Sequence, residues 1–143
     1  MNQRFKGPWQ LVVDGEYEQA IAAYSQQFED DGKTPNLINR GLVYLLMDDP
    51  ARALDDFRAS LTVESQRFWS SGQFALQGIC HWFLDQLEQA VAAWQEAGTA
   101  PYTDIAGGVE PSILLLYAAE RLDRQDLRRE ALSLLRRHAR RKL

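Results

Sequence analysis

Apolar residues recur along this chain with helical spacing, and a longer period lies over that spacing. Tyr17, Ala20, Ile21, Tyr24 and Phe28 stand at i, i+3, i+4, i+7 and i+11, one stripe of a 3.6-residue helix. Ala53, Leu54, Phe57 and Leu61 restate the stripe 33 residues on. Ala90, Val91, Trp94 and Ala97 restate it after a further 37, and Ala131, Leu132 and Leu135 after 41 more. Self-similarity of this kind predicts one supersecondary unit used several times. Twelve residues before three of the stripe alanines a small residue sits inside a second apolar segment: Gly41, Gly78 and Ala119. A glycine inside a helix costs about 1 kcal/mol relative to alanine, so its recurrence in register predicts close helix crossings that compensate for it.

The segments between paired helices are short and rich in turn formers: Asp14-Gly15, Asp48-Asp49-Pro50, Asp85-Gln86 and Asp126. Asp caps a following helix, Gly takes positive φ, and Pro suits a first helical turn. Antiparallel helical hairpins follow, with helices expected near 8–14, 17–30, 36–47, 50–63, 68–84, 87–97, 112–123 and 126–141. The longest irregular stretch is 98–111, GTAPYTDIAGGVEP, where two prolines and three glycines interrupt helix. A loop of that length in a small domain is often functional.

Gly41 with Tyr44, then Ala53 with Phe57, and again Gly78, Ala90 and Trp94, resemble the tetratricopeptide repeat: a small residue and an aromatic in a first helix, an alanine and a large aromatic in a second. The resemblance covers roughly residues 8–140 and implies an all-α fold, a single domain over 1–143 with repeats near 8–34, 36–66, 68–100 and 112–141. The fourth repeat departs from the pattern, with Leu122 and Leu135 in place of the aromatics, and Gly7-Pro8 holds the small-residue position of the first. In this family, first-helix residues line a concave groove where ligands lie. The resemblance therefore places Trp9, Leu42, Leu45, Ile79, Trp82 and Phe83 on that groove, while Tyr24, Tyr44, Phe57 and Trp94 fall on packing positions. A short array that fills its own groove is the competing reading of the same residues.

Composition narrows the function classes. Of 143 residues 45% are hydrophobic and 25% charged, the balance of a soluble globular domain, and no apolar run approaches the roughly 18 residues of a membrane span. No membrane partner and a cytoplasmic location are expected. The single cysteine, Cys80, excludes an intrachain disulfide and a cysteine-based zinc site. The net charge of −4 conceals an asymmetry: residues 1–110 carry 16 acidic and 7 basic side chains, residues 111–143 carry 4 and 9. An acidic body repels phosphates, so a nucleic-acid partner is not expected. The run Arg136-Arg137-His138-Ala139-Arg140-Arg141-Lys142 is read first as a helix end whose cations interact favourably with the dipole.

Catalytic chemistry is hard to assemble from these residues. Cys80 and His81 are adjacent, and neighbours on a helix point about 100° apart, so they do not form a nucleophile–base pair. Glu29-Asp30-Asp31, Asp48-Asp49 and Asp55-Asp56 fall at helix ends or opposite the apolar stripe, as a solvated face does. No phosphate-binding, dinucleotide-binding or metalloprotease motif occurs, and no enzyme activity, metal or cofactor is expected.

The expected function is protein binding, with the apolar groove as the anchor and Asp48, Asp49, Tyr102 and Asp104 at its rim. The stretch APYTDIAGGVEPSILLLYAAERL, residues 100–122, is similar to segments of small bacterial immunity proteins encoded beside polymorphic toxins. That resemblance implies a partner that is a basic toxin domain, for which an acidic blocker gains association rate. The alternative within the same class is a scaffold subunit that holds a peptide or helix in its groove.

Overall fold

The computed structural model of the chain describes residues 5–62, 70–100 and 109–141. All regular structure among them is α-helical: α1 (Pro8–Val13), α2 (Tyr17–Asp31), α3 (Thr34–Leu46), α4 (Pro50–Thr62), α5 (Ser70–Phe83), α6 (Leu87–Thr99), α7 (Val109–Leu122) and α8 (Gln125–Arg141). The helices gather into two compact units, α1–α4 within residues 1–63 and α5–α8 within 64–143.

Four helix–turn–helix connections share one geometry. Gly15, Asp48, Asp85 and Asp123 all adopt left-handed backbone, with φ of 76°, 58°, 58° and 52°. The next residue in each case donates its N–H to a carbonyl five residues back: Glu16 to Leu11, Asp49 to Tyr44, Gln86 to His81 and Arg124 to Ala119, at 2.8–2.9 Å. This bond closes the first helix, and the second begins two residues beyond the left-handed position every time. The left-handed region costs an ordinary side chain roughly 1–2 kcal/mol, which is why Asp stands there wherever Gly does not. In the second connection the two acids divide the work. Asp48 takes the turn, while Asp49 accepts the Arg52 backbone N–H at 3.1 Å and caps α4.

Pro35 and Pro111 mark first turns and not breaks. Helices α3 and α7 begin at Thr34 and Val109, ahead of Pro35 and Pro111, whereas the sequence pattern starts them at 36 and 112. In the first turn the missing N–H has no partner to lose. Gly98 likewise belongs to α6, where a Cβ on it would lie 3.0 Å from Leu134 Cδ1, so its role is close approach to α8.

The small–large pairing is steric. A Cβ on Gly41 would stand 2.6 Å from Phe57 Cε1, and one on Gly78 would fall inside the Trp94 indole. Both rings are fully buried, and Trp94 Nε1 donates to Ala75 O at 3.0 Å. The core of the first unit gathers Leu11, Ala20, Tyr24 and Val43; that of the second gathers Ala90, Val91, Trp94, Leu115, Ala118, Leu127, Ala131 and Leu134 among others.

The fourth hairpin differs from the other three. Counted from the left-handed residue, the fifth and sixth positions are Ala20 and Ile21, Ala53 and Leu54, Ala90 and Val91 in the first three. In the fourth they are Arg128 and Arg129, both exposed. The buried stripe of α8 is Leu127, Ala131 and Leu134, one residue earlier than its counterparts. Ala131 thus takes the place that Trp94 holds in the third hairpin, not that of Ala90, and the fully buried Leu115 supplies bulk from the first helix.

Candidate functional site

The first unit carries an apolar cavity of about 340 Å³. Helix α1 contributes Trp9 and Val12, α2 contributes Tyr24, and α3 contributes Asn39, Leu42, Val43, Leu45 and Leu46. Residues 39, 42, 43 and 46 follow the i, i+3, i+4, i+7 rule, so a single face of α3 forms the floor. Trp9 is 69% exposed and Leu46 57%, and Leu42 is also exposed, which leaves large apolar surface in water at the mouth. The lining holds no charged side chain. The polar groups of its lining residues are the Trp9 indole N–H, the Asn39 carboxamide and the phenol of Tyr24, whose pKa burial pushes up, so the phenol stays a neutral hydroxyl at physiological pH.

The flanks of the same unit are charged and internally paired. Lys6 bridges Asp14 at 2.8 Å and Glu16 at 3.3 Å, and its hydrogen bond is the main cause holding the Asp14 carboxyl below its ordinary range. Arg52 pairs with Asp49 and places its guanidinium 4.7 Å from the centre of the Tyr44 ring. Behind the cavity, Arg40 on α3 donates from Nε to Asp56 Oδ2 at 2.8 Å and from Nη2 to Asp56 Oδ1 at 2.5 Å, while its Nη1 donates to Ser25 Oγ at 2.9 Å. This clasp joins α2, α3 and α4 and fixes how α3 faces the cavity.

Of the residues singled out from the sequence, Trp9, Leu42 and Leu45 meet at this cavity. Asp48 and Asp49 lie in the α3–α4 turn of the same unit, with Asp49 already engaged as a cap. Ile79, Trp82 and Phe83 belong to the second unit. There Ile79 and Trp82 pack against the core; the Trp82 ring stacks on Trp94 at 5.5 Å and meets Tyr117 at 5.3 Å. Phe83 is 69% exposed. Tyr102 and Asp104, with most of the 98–111 stretch, lie outside the described residues. Sequence reasoning did not single out Leu46, Asn39 or Val12 for this surface. The α3 stripe 39, 42, 43, 46 carries the signal for two of them.

Cys80 and His81 are both buried in α5, and the His81 imidazole N–H at Nδ1 donates to Gln86 Oε1 at 2.7 Å, which ties it to the turn. Among the described residues no group of three His, Cys, Asp or Glu side chains could hold a metal ion, and no helix is long and apolar enough to cross a membrane.

No protein-family model and no curated protein sequence matches the chain. Solved structures do match in fold. The crystal structure of MamA superimposes with a TM-score of 0.71 at 17% identity, covering 92% of this chain and 73% of that one. MamA 41-end from Desulfovibrio magneticus RS-1 gives 0.67 at 17% identity over 90% and 72%. The first tetratricopeptide domain of Spaghetti (RPAP3), bound to the HSP90 peptide SRMEEVD, gives 0.65 at 17% identity over 81% and 87%. These likenesses establish a tetratricopeptide-type all-helical fold.

Proposed function

We propose that the protein is a protein-binding module whose recognition surface is the apolar cavity of the first unit. The observation that carries this reading is the exposure of Trp9, Leu42 and Leu46 around a cavity of about 340 Å³ with no charge in its lining. Small-molecule sites span roughly 300–1,000 Å³, and this cavity, at the low end and half open to solvent, suits bulky side chains of a partner segment better than an enclosed cofactor. The fit is to apolar anchors, with one polar group of the partner meeting Asn39 or the Tyr24 hydroxyl. The peptide in the Spaghetti complex, SRMEEVD, is acidic. An uncharged cavity offers such a peptide no cation.

The finer reading is an immunity protein that neutralises a basic toxin domain by direct binding. Support comes from the excess of acid in residues 1–110, 16 against 7 basic, and from exposed Glu18, Glu29, Asp30, Asp48 and Asp55 in the first unit. Fields of opposite sign speed encounter, while buried apolar anchors set the lifetime of the complex. The alternative occupant is a peptide or helix of a larger assembly.

Surface plasmon resonance with a toxin domain encoded beside this gene, and with amphipathic helical peptides, tests both. Trp9→Ala and Leu46→Glu leave the fold intact, since both side chains are mostly in water, and each is expected to weaken binding about thirtyfold through faster dissociation. Unchanged binding by both variants overturns the cavity as the recognition surface. Binding to the peptides alone, lost in the same variants, decides for the scaffold reading.

A further inference from the structure

We propose that the outer face of α8 is a second docking surface, independent of the cavity, for an acidic helix of another protein. Arg129, Arg136 and Arg140 are exposed and lie 7 and 4 residues apart. At 100° and 1.5 Å per residue they fall within about 40° of one another along about 16 Å of the helix. The opposite side is the buried stripe Leu127, Ala131 and Leu134, so the three arginines form the outermost line of the second unit's last described helix.

Three observations set this line apart from an ordinary solvated surface. First, the cations of the preceding turns are engaged: Arg124 bridges Glu88 and Asp126, Arg128 bridges Glu120, and Arg121 lies over the Tyr117 ring, while Arg137, also exposed, flanks the line. Among the described residues no acid bridges Arg129, Arg136 or Arg140. The remaining α8 acid, Glu130, is turned aside to accept from Gln95 Nε2 at 2.9 Å. Second, the helix dipole favours Arg140 in the last turn but does not account for the start of the line. Its effect falls off within the terminal turns, and Arg129 is the fifth residue of a 17-residue helix. Third, Arg128 and Arg129 occupy the positions where the first three hairpins hold Ala and Ile, Leu or Val. The apolar stripe of α8 has moved by one residue, which turns these arginines outward.

The chemistry of the line selects its occupant. All three cations are arginine, whose planar fork matches a carboxylate bidentately. Helix α8 has no Phe, Trp or Tyr on which bases would stack, and the line has no apolar residue larger than alanine to enter a bilayer. Duplex DNA carries a charge about every 1.7 Å, so it extends well past a 16 Å line. A single helix with carboxylates at i, i+7 and i+11 matches the spacing and ends where the line ends.

Fluorescence anisotropy on the full chain tests this with two labelled helical peptides of equal composition. One bears glutamates at i, i+7 and i+11; in the other they are scattered around the helix. The register-matched peptide is expected to bind about tenfold tighter or more, and reversal of the line in R129E/R136E/R140E is expected to abolish the difference. Arg58→Glu, a charge reversal on exposed α4 surface, and Leu46→Glu at the cavity should leave it unchanged. Unfolding curves confirm that the variants fold. Equal affinity for the two peptides, or a triple variant that still discriminates, overturns the proposal. So does tighter binding to duplex DNA or to phosphatidylserine vesicles than to the matched peptide. Self-association of the protein alone that vanishes in the triple variant assigns the line to a second copy and also overturns it.

Discussion

The indole of Trp94 occupies the space that a side chain on Gly78 would need. Its Nε1 is anchored on Ala75 O one turn earlier in α5, so the ring cannot swing aside without leaving a buried donor unpaired. Gly78→Ala is therefore expected to destabilise by about 1–3 kcal/mol despite alanine's higher helix propensity, and Gly78→Leu by more. Denaturant midpoints read this directly. A Gly78→Ala protein as stable as the parent means that the helices separate at that crossing without loss. Gly41 against Phe57 repeats the arrangement, and Gly41→Ala should behave alike.

The clasp of Arg40 on Asp56 and Ser25 gives a second expectation. Asp56 has a side chain 6% exposed, and both its oxygens accept from one guanidinium. The bond holds Arg40 above its ordinary pKa, and it stays a cation at any accessible pH. Removing Asp56 leaves Arg40 charged, part-buried and short of two acceptors, so Asp56→Ala is expected to cost about 1–3 kcal/mol. Arg40→Met combined with Asp56→Leu removes both charges and is expected to recover much of that loss. A double variant no better than the single one means that the clasp acts by geometry and not by charge balance. Since α3 carries the cavity floor, binding by the single variant should fall with stability.

The repeat was legible because its spacing is steric: Gly41 and Gly78 sit 16 residues before the rings that fill them. The fourth hairpin was less legible. Ala131 has the chemistry of a stripe alanine, but the turn at Asp123 sets the register, and one residue of rotation hands the small position to the second helix and the large one, Leu115, to the first. Prolines misled in the same local way, since the one-dimensional pattern starts helices just after Pro35 and Pro111, which prove to be first-turn residues. At the cavity, apolar first-helix residues were visible, whereas the division between Trp9, open to water, and Trp82, seated on Trp94, depends on neighbours from other helices that no spacing rule reports.

Asp49 is expected to show its capping role in the pH dependence of stability. The Arg52 backbone N–H, then the Arg52 side chain, depress its carboxyl below the ordinary value of 3.8. A depressed folded pKa contributes stability that is complete above the unfolded value and is lost as pH falls through the folded one. Asp49→Asn keeps an acceptor for the N–H but carries no charge, so it should flatten the acid limb of the stability curve between those values and lack at neutral pH the contribution that the parent loses in acid. Asp49→Ala should lose about 1 kcal/mol at neutral pH, the usual size of a lost cap. Identical acid limbs for the parent and Asp49→Asn would show that other carboxylates govern it.

Trp82 and Phe83 are neighbours in sequence and are expected to part company when truncated. The Trp82 ring lies between Trp94 and Tyr117, with centroids 5.5 and 5.3 Å away, and it packs against the core of the second unit. Partial burial of a large ring and its aromatic contacts together make Trp82→Ala cost about 1–3 kcal/mol, and the Tyr117 ring loses its support. Phe83 is 69% exposed and touches little that would miss it, so Phe83→Ala should shift the denaturation midpoint by no more than about 0.5 kcal/mol equivalent. Near-ultraviolet circular dichroism offers a second reading, because stacked indoles couple and Trp82→Ala removes the stack while Phe83→Ala does not. Loss of partner binding in Trp82→Ala therefore has to be judged against its stability, whereas loss in Phe83→Ala points straight to contact. Equal destabilisation by the two substitutions would mean that the indole is not seated on Trp94 in solution, and Trp82 would then return to the surface available to a partner.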